Sequence, residues 1–160
     1  MTSSTDGRSV RQVAVPPTAR ARTTLARVDY ADAFLVDAAS TRDRTGEQWA
    51  RLILEGAPAK TRRDLGRGWS ALGLRLRPVG SDRTVLGWEI RDSTPDVALL
   101  GARGRLGIAG ELLFERQPGG MLFATFVQLT NPVARVFWMA LVAARHRTIV
   151  RGLLARGAAA

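Results

Sequence analysis

The chain has 160 residues, 46% of them hydrophobic, no cysteine, and a formal net charge of +10. That length suits one domain with a real core and is too short for a comfortable second one, and the lack of cysteine excludes disulfides, thiolate metal sites and thiol nucleophiles. The charge invites a nucleic-acid reading, yet the excess sits at the ends: residues 1–24 carry four Arg and one Asp, residues 131–160 carry five Arg and no acid, and residues 25–130 hold 15 basic against 13 acidic groups. Such a distribution argues against a nucleic-acid patch on the domain itself. The opening "MTSSTDGRSVRQ" lacks the apolar stretch of a secretory signal, and the longest apolar run, residues 136–144, falls far below the roughly 20 needed to cross a bilayer. The expectation is a cytoplasmic protein with no transmembrane segment.

Residues 1–24 are small, polar and proline-containing, and read as a flexible tail before a single domain at 25–156, with 157–160 as a short C-terminal tail. "RVDYADAFLVDA" follows as a first strand, with Tyr30, Phe34 and Val36 interspersed with Asp29, Asp32 and Asp37. Thr45 and Gln48 have capping-box spacing, and Trp49, Leu52 and Ile53 recur at helical intervals until Gly56. Pro58 opens a second short helix that Gly66 and Gly68 are expected to end.

The period then changes to two. "LGLRLRPVG", "TVLGWEIRD", "DVALLGAR", "LGIAGELLFERQ" and "MLFATFVQLT" read as successive antiparallel strands, with "QPGG" as a hairpin turn. "GARGRLGIAG" matches no dinucleotide or P-loop fingerprint, because no helix start follows and no lysine is present; it reads as a turn with Arg103 and Arg105 exposed. An even loop at "QPGG" places Leu112 and Phe114 on one face with Phe123, Thr125 and Val127, and turns Glu111 and Glu115 to the other. Asn131 caps and Pro132 opens a long helix running to about Leu154 or Arg156. The whole is an α+β domain with its helices gathered on one side of an antiparallel sheet.

One strand, a helical pair, a curved sheet and a long closing helix resemble the helix-grip arrangement of the START-like superfamily, which includes polyketide cyclase-like proteins. Within it, "TVLGWEI", "ELLFERQPGGMLFATFVQL" and "NPVARVFWMALVAARHRTIVRGLL" resemble a bacterial group of unknown function, over roughly residues 29–154. The resemblance implies a cavity between sheet and closing helix for an apolar or amphipathic molecule, and points to Trp88, Trp138 and His146. Relatives often carry proline two residues before that histidine. Ala144 stands there in this chain, which should leave its helix straighter.

His146 is the only histidine. Met139, Val142, His146, Ile149 and Leu153 follow 3-4-3-4 spacing and should form one stripe. His146 is then either a core histidine satisfied by a bond to the sheet, or a polar tip at a pocket wall able to orient a ligand or act as a base. The helix is apolar on all sides in its first half, so a further element or a homodimer contact should cover it. The expected ligand-binding set is Trp88, Phe114, Phe123, Thr125, Trp138, Val142 and His146. No catalytic residue is assigned unless the chain is an enzyme, in which case His146 is the candidate. One histidine and no cysteine argue against zinc, and no cofactor is expected. The leading expectation is a carrier or sensor of an apolar small molecule, as monomer or homodimer. The alternatives are a cyclase or aromatase-type enzyme using the same cavity, and a basic module binding nucleic acid or anionic lipid.

Overall fold

A computed structural model describes residues 9–37 and 43–160. It is an α+β fold of the helix-grip kind: a curved, seven-stranded antiparallel sheet, two short helices early in the chain and a long C-terminal helix. The strands are β1 (Val10–Val13), β2 (Tyr30–Asp37), β3 (Thr84–Val85), β4 (Trp88–Ser93), β5 (Val97–Arg103), β6 (Ile108–Gln117) and β7 (Gly120–Leu129), in spatial order β1-β2-β7-β6-β5-β4-β3. The helices are α1 (Pro17–Arg20), α2 (Gly46–Leu54), α3 (Ala59–Ala71), α4 (Pro132–Phe137) and α5 (Ala143–Ala159), with a π-helical segment, Trp138–Val142, joining the last two.

The β6–β7 register is the one the even loop requires. Gln117 pairs with Gly120, Phe114 with Phe123 and Leu112 with Thr125. β2 adds to the other edge of β7 with Phe34 opposite Phe123 and Asp32 opposite Thr125. These residues therefore share the face that α2 and the C-terminal helix cover.

Several segments differ from their sequence-based expectation. Residues 10–13, expected in a flexible tail, form β1 on the edge of β2, and Pro17–Arg20 forms a helical turn; residues 1–8 of that tail lie outside the described residues. Val13, Val15 and Ala19 of this segment, with Leu25 and Val28 just after it, cover the outer sheet face, where Leu99, Leu113, Leu122 and Phe126 lie. Helix α3 runs through Gly66 and Gly68 to Ala71, because glycine is tolerated inside an exposed helix at modest cost and the left-handed cap comes only at Gly73, φ 77°. "LGLRLRPVG" makes a single bridge, Leu74 to Gly104, and no strand.

"TVLGWEIRD" is a hairpin rather than one strand: Val85 pairs with Trp88 across Leu86 and Gly87, both at positive φ (47° and 88°) as a type I′ turn demands. At the other end of the chain, α5 continues to Ala159 and buries Gly157 and Ala158, so 157–160 is not a free tail.

The expected helical stripe is broken by the π segment. There the Ala143 N–H reaches back five residues to the Trp138 carbonyl, which inserts one residue and rotates the face presented to the sheet. Ala134, Trp138, Ala143, Val150 and Leu153 face inward, while Met139 and Ile149 are exposed. The irregularity lies just before the Ala144 position, and from Ala143 onward the helix is regular.

Candidate functional site

The site is built where β2 and β7 pass beneath the C-terminal helix. Opposed pairing of Asp32 and Thr125 sets both side chains side by side on the covered face, and Tyr30 precedes Asp32 by the two-residue period of the strand. His146 descends onto them from α5. Its Nε2 is 3.2 Å from Thr125 Oγ1 and 3.2 Å from Asp32 Oδ2. The Tyr30 hydroxyl donates to the same Asp32 oxygen at 2.6 Å, and Arg147 reaches that hydroxyl at 3.4 Å. Burial first, then the bond to Asp32, raise the Tyr30 hydroxyl above the ordinary phenol range, so it stays a donor.

Trp138 closes this group, its ring 5.4 Å from Tyr30 and 5.7 Å from His146. Within it two buried polar atoms have no hydrogen-bond partner, Asp32 Oδ1 and Trp138 Nε1. An unpaired carboxylate oxygen on a residue only 4% exposed carries a desolvation cost that native cores rarely leave unmet.

Of the seven residues expected from the sequence, Thr125, Trp138 and His146 meet directly in this group. Phe114 and Phe123 lie next to it on the same face, stacked edge to face at 5.1 Å, with Phe34 paired opposite Phe123. Val142 is half-buried against the core. Trp88 stands apart, over Gly110 and edge-on to Trp69 of α3 at 5.5 Å, with its own Nε1 unpartnered. Asp32 and Tyr30 were read only as strand residues; a carboxylate inside an otherwise apolar strand opposite Thr125 was the available signal.

Trp88, Phe114 and Phe123 are almost fully buried, so this part of the core is packed. Two surface clefts, of about 770 and 710 Å³, lie at the β3–β4 end, one lined by Glu47, Arg83 and Glu89 and the other by Arg75, Arg77, Arg91 and Arg103. Neither lies between the sheet and the C-terminal helix. Helix α3, whose side chains are nowhere fully buried, covers Trp88 through Trp69.

On the outer sheet face, Glu111 is fully buried and accepts from the hydroxyls of Thr23 and Thr24, the Thr24 N–H at 2.8 Å, and Arg91 at 2.8 Å. Burial works to raise its pKa, but these donors together outweigh it and hold the carboxyl below the usual range. Among the described residues no group of three or more His, Asp or Glu could hold a metal ion, and no helix is long and apolar enough to cross a membrane. No protein-family model matches the chain, and no curated protein matches it.

Proposed function

We propose that this chain binds a small apolar or amphipathic molecule carrying one polar head group, held between the sheet face of Phe34, Phe114 and Phe123 and the C-terminal helix, as START-like proteins do. The observation that carries this reading is the pair of unpartnered buried atoms, Asp32 Oδ1 and Trp138 Nε1, beside His146 and Thr125 in apolar surroundings. A ligand hydroxyl could donate to the carboxylate and accept from the indole, satisfying both at once. Helix α3, which covers Trp88 farther along the same face, is held by half-buried Leu65, Trp69 and Leu72 rather than by a fully buried face.

The test is a non-denaturing mass spectrum of the freshly purified protein followed by a denatured one, together with a titration of tryptophan fluorescence by a medium-chain fatty alcohol. A mass that leaves on denaturation, or saturable quenching that Asp32→Asn weakens, supports the reading. A clean protein mass with no saturable quenching overturns it.

The same geometry favours a second reading, an enzyme of the cyclase or aromatase kind with His146 and Asp32 as a proton-transfer pair at 3.2 Å. Loss of turnover of a polyketide-like substrate in His146→Ala, with binding retained, would distinguish it from a carrier.

A further inference from the structure

The described residues include eight large hydrophobic side chains left exposed, and five of them lie on one short stretch of helix. Val133, Val136, Phe137, Met139 and Leu141, between 40% and 79% exposed, follow one another along the outer side of α4 and the π segment. The turn at Arg105 and Leu106 lies beside the start of this helix, where Asn131 donates to the Leu106 carbonyl at 3.3 Å. Ordinary monomers expose single apolar residues, and a grouped set calls for an occupant.

The exposed charges on this face are arginines. Arg105 and Arg145 are exposed at its two ends, Arg135 lies within it, and residues 131–160 contain no acid. The acid that Arg135 touches, Asp29, is also bound by Arg27.

A second copy of the chain would have to bring this face against itself, arginine toward arginine, which an isologous contact does not favour. The face is also the convex side of a helix, with side chains that protrude rather than a groove that receives. Apolar protrusions rimmed by arginine suit the boundary between head groups and acyl chains, where the aliphatic and aromatic groups sink in and the guanidinium groups stay with phosphate. We propose that the outer face of the C-terminal helix from Val133 to Leu141 docks onto an anionic lipid bilayer. The helix lies in the interface and does not span it. This surface faces away from the His146 group and stands whether or not a ligand binds there.

The experiment is vesicle flotation of the full chain with phosphatidylcholine alone and with phosphatidylcholine containing phosphatidylserine, at low and high salt. The protein should float with the anionic vesicles and not with the neutral ones. A Phe137→Glu/Leu141→Glu variant, altering two already exposed positions, should bind at least about tenfold more weakly. Arg105→Ser/Arg145→Ser should lose roughly fivefold per arginine and flatten the salt dependence. Thermal melts confirm that each variant is folded, and the arginine variant carries the test alone if the first is not. Absence of binding, equal binding to both vesicle types, or binding that neither variant changes would overturn the proposal. So would a concentration-dependent dimer that the glutamate variant abolishes while vesicles go unbound, which would assign the face to a second copy.

Discussion

Asp32 and His146 tie the sheet to the helix through one polar contact at 3.2 Å, and the cost of removing either follows from what it leaves behind. His146→Ala takes a partner from Asp32, whose Oδ1 already has none, and leaves Thr125 Oγ1 without its 3.2 Å neighbour. Asp32→Ala also takes the acceptor from the Tyr30 hydroxyl, which keeps only the long bond from Arg147. Each change should destabilise the fold by about 2–3 kcal/mol, while the double variant should cost less than the sum because both act on one network. Urea denaturation of the four proteins checks this, and strict additivity would mean that the two side chains do not interact in solution. His146 and Thr125 were legible because histidine in an apolar helix and threonine in an apolar strand stand out by type, whereas Trp138 was pointed to by the family resemblance. Asp32 was hidden among Asp29 and Asp37 of the same segment, and only the pairing of β2 with β7 separates the buried carboxylate from its neighbours.

Elements with a clear period were readable, and those governed by one residue of backbone geometry were not. The β6–β7 register followed from the parity of a loop, and the α2 cap from Thr45 and Gln48, whose reciprocal bonds are both present. The π segment left no such mark: one inserted residue turns Met139 and Ile149 outward, and a 3-4-3-4 pattern cannot reveal it. Two kinds of glycine make a further contrast. A Cβ at Gly46, where α2 starts against the sheet, would come within 2.5 Å of the Ala98 nitrogen and 2.7 Å of the Phe114 carbonyl oxygen, so Gly46→Ala should destabilise by about 1–3 kcal/mol. At Gly66 and Gly68 of α3 a Cβ meets nothing within 4 Å, and alanine at each should stabilise by about 0.5–1 kcal/mol. Chemical denaturation of the single variants reads both signs.

At the scale of the whole molecule the N-terminal segment is the largest departure from the sequence reading, and it changes what holds the sheet together. Strands β5 to β7 are apolar on both faces, a pattern that requires cover on both, and the outer cover is the segment from Val13 to Val28. Its own composition hid this, since a segment of valines, alanines, prolines, threonines and arginines with a single leucine does not look like a core layer. Deleting residues 1–24 should therefore expose Leu113, Leu122 and Phe126 and abolish the cooperative thermal transition, whereas a disposable tail would leave the melt unchanged. Glu111 is the latch within that layer, and its sign with pH is fixed by the direction of its shift. The folded state lowers the carboxyl pKa below its ordinary 4.5, so the unfolded chain binds a proton more readily. The stabilisation is complete above about pH 4.5 and is lost as pH falls through the lower folded value, when protonated Glu111 can no longer hold Arg91, Thr23 and Thr24 together. Glu111→Gln should cost on the order of 3 kcal/mol at neutral pH, because it leaves Arg91 without its anion. The difference in melting temperature between the two proteins should then shrink as both are taken from pH 7 toward pH 3. A constant difference across that range would mean that the Glu111 charge does not hold the N-terminal layer on the sheet.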